Sequence, residues 1–202
     1  MGEPQRQATG RAAQRLRTHE RLFEASVAEF KRTGVAAADV REIVASAGVA
    51  QGTFYFHFPA KSDVLLELER REDVRIAADL RKALDRPHTL VDALTEVTDL
   101  ILGMERRLGG RLVRELLGHH FSPSRPDVDT WTNYQVIVQV VEEIERAQER
   151  GEADPNLDAA TSATLFMLGV YGVLASTPGP RQARRALLDA LISRTVRSLE
   201  TR

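Results

Sequence analysis

Apolar residues in this chain recur every three or four positions, a spacing that leaves little besides helices to build from. Leu90, Leu94, Val97, Ile101, Met104 and Leu108 trace one stripe, which the helical period brings to a single face. Leu22, Phe23, Val27 and Phe30 repeat the pattern, as do Val64, Leu65, Leu68, Ile76, Leu80 and Leu84. Farther on, Trp131, Tyr134, Ile137, Val138, Val141 and Ile144 form another stripe. No alternating apolar–polar run is long enough for a sheet. The expected fold is all-α, with about nine helices.

Glycine, proline and capping residues divide these stripes. Residues 1–14 carry Gly, Pro, Gln and Arg without periodicity and read as a flexible basic arm. Thr18 is a candidate cap for the first helix, which Gly34 ends. Asp39 followed by Glu42 resembles a capping box, and the helix it opens stops at Gly48. A short helix runs from Gln51 to Phe58, closed by Pro59. A longer one starts near Lys61, and Pro87 and Gly109-Gly110 mark the next breaks. The segment from Phe121 to Asp127 reads as a loop. Two final helices are expected at 157–176 and 181–199, split by Thr177-Pro178-Gly179-Pro180. The domain division expected is an arm at 1–14, a small domain at 15–62 and a larger one at 63–202.

Composition narrows the function classes. The 202 residues are 43% apolar and 28% charged, which argues for a packed globular chain. Cysteine is absent, so disulfides, thiol nucleophiles and thiolate-bound metals are excluded. The net charge of −1 hides an asymmetry: residues 1–61 sum to +3 and the remainder to −4. A basic first third suits a polyanion. No apolar leader is visible in the first fifteen residues, and a cytoplasmic location is expected. The uncharged stretch from Ala159 to Pro180 is too broken by Ser, Thr and Pro for a membrane span. It reads instead as a helix buried on all sides.

Residues 18–65 carry the functional signal. Two short helices joined at Gly48-Val49 have the helix-turn-helix arrangement, and glycine supplies the left-handed conformation such a turn needs. Phe54 and Phe58, four apart, are expected in the core. That leaves Thr53, Tyr55, Phe56 and His57 facing outward, a surface suited to a nucleic-acid groove. A plain helical hairpin with solvated polar residues fits the same pattern.

The stretch from Thr18 to Leu68 resembles the DNA-binding domain of TetR-type transcriptional regulators. V-R-E-I-V-x-x-A-G-V followed by G-T-F-Y-F-H-F-P-x-K matches the family pattern almost position by position, and the resemblance covers about residues 15–70. It implies a homodimer, a three-helix DNA-binding domain and a larger domain that binds an inducer. It also implies that Tyr55 and Lys61 meet phosphates, while Arg41, Gln51, Thr53 and His57 face the groove. Gln51 suits adenine and Arg41 guanine, and Phe56 suits thymine methyls. Arg6, Arg11, Arg15 and Arg17 of the arm are candidates for further phosphate contacts, or a solvated tail. Two departures stand out: Ala50 and Ala60 occupy positions where the family often places a capping Ser, and Ala caps poorly.

The remaining constellations are weaker. Glu115 and His119 share a helix face but make only half a metal site, so an ordinary surface pair is expected. No phosphate loop or hydrolase motif occurs, and neither a cofactor nor catalysis is expected. A helical-bundle enzyme or carrier is the alternative class; a regulator without a small-molecule ligand is another. Met104, Phe121, Trp131, Tyr134, Phe166 and Tyr171 are the candidate pocket residues, with a largely apolar effector expected. Gly169, Gly172, Leu188, Ile192, Val196 and Leu199 are the candidate dimer face, with Ala183, Leu187 and Leu191 turned toward the chain's own core. The expected partners are a double-stranded operator, a second copy of the chain and a small molecule, without a membrane.

Overall fold

The computed structural model describes residues 3–122, 134–176 and 181–200. Nine helices occur among them: α1 Glu3–Thr33, α2 Val40–Ala47, α3 Gln51–His57, α4 Lys61–Ala83, α5 Leu90–Leu108, α6 Gly110–His120, α7 Gln135–Glu149, α8 Ala159–Ser176 and α9 Arg181–Leu199. The described residues contain no strand, so the all-α expectation holds. The chain packs as two units that divide at Leu68–Glu69, inside α4, six residues beyond the boundary the sequence suggested.

In the first unit, α1 corrects the sequence reading. The expected arm at 1–14 is helical from Glu3, and Thr18 lies inside the helix rather than at its start. Pro4 sits in the first turn, where no backbone partner is lost. The Ala, Gln and Arg residues that follow are good helix formers, which outweigh the single Gly10. Leu22, Phe30, Ile43, Phe54 and Phe58 form the core of this unit, each buried. Ser26 lies among them, its hydroxyl donating to the Leu22 carbonyl at 2.6 Å.

α2 is defined at both ends. The Asp39 carboxylate accepts from the Arg41 amide at 2.8 Å, capping one turn-start donor. At the other end Gly48 takes φ +65°, its N–H donates to Ala45, and Val49 N–H reaches back to Val44 at 3.0 Å. This is a Schellman closure, and it needs the left-handed conformation that glycine adopts without strain. Ala50 opens α3 without a side-chain cap. The Ala60 N–H, by contrast, donates to Asp63 at 2.7 Å, the half of a capping box that needs no Ser at position 60.

The second unit holds α5–α9 and the later part of α4. Thr89 and Asp92 form a reciprocal capping box at the start of α5. The core runs through Leu94, Ile101, Leu112, Ile144, Phe166 and Met167. Gln139 donates from α7 to the Ala77 carbonyl of α4 at 2.9 Å, satisfying a buried amide. On α7, Val138 is exposed and Val136 and Val140 are buried, so the buried stripe is rotated from the one expected. α8 is not buried on all sides within the chain: Ala163, Phe166, Met167, Val170 and Leu174 face inward, while Leu165 is 63% exposed.

His88, in the α4–α5 connection, ties this unit together. Its Nδ1 contacts the Arg86 carbonyl at 2.7 Å and its Nε2 contacts Glu143 of α7 at 2.8 Å. Both partners accept only, so the protonated ring satisfies both. Burial opposes that charge, but the bonds to Glu143 and Arg86 and the Glu143 charge outweigh it, and the pKa rises above 6.5. A group whose folded pKa is raised contributes fully below its unfolded pKa, and the contribution fades as pH climbs through the folded value. Thermal melts of wild type and His88→Ala across this range are expected to differ most on the acid side, with the gap narrowing as pH rises. A gap that widens with pH would show that the pair is not charged.

Candidate nucleic-acid interface and cavity

The exposed side of the helix-turn-helix collects the residues singled out from the sequence. Phe54 and Phe58 anchor α3 in the core, and Tyr55 and Phe56 stand 50% and 65% exposed. The Tyr55 ring meets Phe54 edge-on at 5.3 Å, which holds its hydroxyl outward. Gln51 is exposed and Thr53 half-buried on the same helix. His57 is half-buried beside His19 at 5.4 Å, and His19 stacks on Phe58 at 4.6 Å. Burial first, then the His19 and Arg15 charges, lower the His57 pKa below 6.5. Its ring is therefore a neutral donor and acceptor at neutral pH.

Two cations near this surface already have protein partners. Arg41 grips Asp39 through Nε and Nη2, the latter at 2.8 Å. Lys61 Nζ donates to the Ala36 and Ala38 carbonyls at 3.0 and 3.1 Å, fastening the start of α4 to the α1–α2 connection. An ammonium has three donors, so one stays available. Arg15, on the helical extension of α1, lies 5.0 Å over the Phe56 ring. This is a cation–π placement that periodicity could not show. Arg11 and Arg17 are exposed on α1, and the Arg6 side chain lies outside the described residues.

In the second unit a cavity of about 50 Å³, partly open to solvent, lies among α4, α5, α6, α7 and α8. Met104, Tyr134 and Tyr171 line it, as the sequence suggested. Phe166 and Phe121 do not. Phe166 is in the core at 1% exposure. Phe121 is half exposed and packs beside Tyr171 rather than in the wall. Trp131 lies outside the described residues. Tyr134 precedes α7 as its N-cap residue instead of sharing a helical stripe.

The cavity is also more polar than expected. Glu69, Glu72, Asp73 and His120 stand in its walls among Ile76, Ile101, Leu116 and Leu117. Glu69 Oε1 accepts from the Tyr134 hydroxyl at 2.8 Å and from His120 Nδ1. Glu72 binds Arg107 at 2.7 Å. Asp73 accepts from the Gln135 and Val136 amides at 2.8 and 3.1 Å, capping α7. Burial pushes the Asp73 pKa up against those bonds, and the Glu69 charge adds to the push. Burial, then the charges of Asp73 and Glu69, raise the Tyr171 pKa far enough to keep its hydroxyl protonated. Glu115 pairs with Arg111 at 3.5 Å, and no cluster of three metal-ligating side chains occurs among the described residues.

The candidate dimer face requires correction. Leu188, Ile192 and Leu199 are 0%, 4% and 3% exposed within the single chain, and Val196 is half-buried. Gly169 accommodates the chain's own Leu191, whose methyl carbons would lie 2.8–2.9 Å from an added Cβ. The outward stripe of α9 is the other one, with Leu187 48% exposed. Gly172 faces open space.

Comparison with known proteins decides the family. Residues 22–68 match the pattern of the bacterial regulatory proteins of the tetR family. The chain is 24% identical over 173 residues to the HTH-type transcriptional regulator UidR of Escherichia coli K12, covering 84% of this chain and 86% of that protein. The helix-turn-helix of this chain is that of TetR-type transcriptional regulators. This TetR-type regulator has the fold of Salmonella enterica GusR, with a TM-score of 0.69 at 23% identity over 90% of this chain and 95% of that one. The Thermus thermophilus repressor FadR, solved with lauroyl-CoA, gives 0.66 at 21% identity over 89% and 91%. The regulator is thus a DNA-binding protein.

Proposed function

We propose that this regulator is a cytoplasmic, non-enzymatic, homodimeric repressor that leaves a near-palindromic operator when a small molecule fills the cavity of its second unit. The observation that carries the reading is that cavity, walled by Met104, Tyr134, Tyr171 and a ring of polar groups, in a chain whose first unit is a helix-turn-helix. Small-molecule sites are concave, largely apolar and fitted with a few polar groups. The relative solved with lauroyl-CoA has the same fold.

On DNA, Tyr55 and the remaining Lys61 donor meet phosphates, while Gln51, Thr53, His57 and Phe56 face base edges in the major groove. Arg41 reaches a base after exchanging Asp39 for it. The exposed apolar side of α8 and α9, with Leu165, Leu168, Gly172 and Leu187, is the face that a second copy covers. A closed two-fold dimer matches the symmetry of a palindrome. Release requires that the ligand bind one dimer conformation better than the one that fits DNA.

The test is a gel shift on inverted repeats flanking the gene, with random DNA as competitor at matched salt. The expected result is one dimer per repeat, bound at least about a thousandfold tighter than random sequence. Equal affinity for both would overturn the operator reading.

A further inference from the structure

Within the cavity of the second unit, charge is distributed unevenly. Three carboxylates, Glu69, Glu72 and Asp73, stand on consecutive turns of α4 and line it. Arg107 pairs with Glu72, and Glu69 accepts from His120 and Tyr134. Asp73 holds two backbone amides and no cationic side chain among the described residues. Carboxylates only accept hydrogen bonds, so the open part of this wall asks a ligand for donors. Tyr134 and Tyr171 line the same cavity, together with Ile76, Ile101 and Leu116. Tyr rings carry negative faces that attract a cation, and the apolar lining takes an apolar body.

We infer that the effector is an organic cation, a protonated amine or quaternary ammonium on a compact apolar body, with its charge held between Asp73 and the Tyr134 and Tyr171 rings. The inference rests on the effector reading above and adds the sign of the charge. A carboxylate or phosphate at the same place would face Asp73 across a partly enclosed space, where like charges repel strongly. A neutral alcohol donates to Asp73 but gains nothing from the field. The cavity thus ranks ligands of equal shape by head group: ammonium, then hydroxyl, then carboxylate.

Three soluble probes with one body test this on the full-length protein: 2-phenylethylammonium, 2-phenylethanol and 3-phenylpropanoate, titrated calorimetrically. The ammonium is expected to bind at least about tenfold tighter than the alcohol, and the carboxylate weaker than both. Asp73→Asn keeps one of the two acceptors for the α7 amides and removes the charge. It is expected to shrink the ammonium-to-alcohol ratio to near one, with a melting temperature that reports a folded protein. If that variant does not fold, the ranking of the probes on wild type decides alone. Carboxylate binding as tight as ammonium, or an unchanged ratio in folded Asp73→Asn, would overturn the charge inference while leaving an effector cavity in place. Failure of all three probes to bind at millimolar concentration would overturn both.

Discussion

Glutamate at Leu187 is expected to yield a folded chain that no longer dimerises, whereas glutamate at Ile192 is expected to unfold it. The two residues sit on adjacent stripes of α9, yet Leu187 is 48% exposed and Ile192 only 4%. A carboxylate forced into the Ile192 site loses its water and finds no partner, a change that costs about 4 kcal/mol or more. That is a large share of the stability of a typical domain, which is about 5–15 kcal/mol. At Leu187 the same carboxylate stays in water in the single chain, and the effect on the fold is within about 0.5 kcal/mol. In the proposed dimer it enters an apolar contact twice, once from each copy. Light scattering and melting temperature separate the cases. A dimeric Leu187→Glu protein, or a stable monomeric Ile192→Glu protein, would contradict this assignment of faces.

The second large effect is expected on DNA. Tyr55→Ala and Lys61→Ala should each weaken binding about tenfold or more on every operator variant alike, because phosphate contacts carry no sequence information. Lys61→Ala should also lower the salt slope by about 0.9, the share of one phosphate. Part of the Lys61 loss comes from the two loop carbonyls it fastens, so Tyr55→Ala is the cleaner probe of contact alone. Gln51→Ala is expected instead to change which bases are preferred, at a cost of about 1–3 kcal/mol at one position. Titrations at several salt concentrations on wild-type and substituted operators measure both quantities. An unaltered slope in Lys61→Ala would remove it from the phosphate set.

The helix-turn-helix was legible because its signals are local. Gly48 marks the turn, and Phe54 and Phe58 fix which side of a two-turn helix is inside. The long final helix was less so. Its stripes Ala183–Leu187–Leu191 and Leu188–Ile192–Leu199 have the same period, and periodicity defines faces without saying which one meets the core. The cavity was least legible. Glu69, Glu72 and Asp73 fall in a charged run of α4, and nothing local in that run marks a cavity wall. Their partners Arg107, His120, Tyr134 and Gln135 lie 35 to 65 residues away in sequence. Only tertiary packing brings acceptors and donors together. The N-terminal extension was misread for a different reason. Pro4 and Gly10 were weighed as breakers, although proline in a first turn costs a helix nothing.

Asp39 serves two masters at once. The same carboxylate that starts α2 by accepting from the Arg41 amide also occupies the Arg41 guanidinium. Removing it would loosen the helix and unmask the arginine together, so neither property can drift alone. With Arg41 as the proposed base contact, a change of operator preference at position 41 is tied to the folding of the element that carries it. Asparagine is the narrow exit, since it still caps a helix but no longer balances a charge.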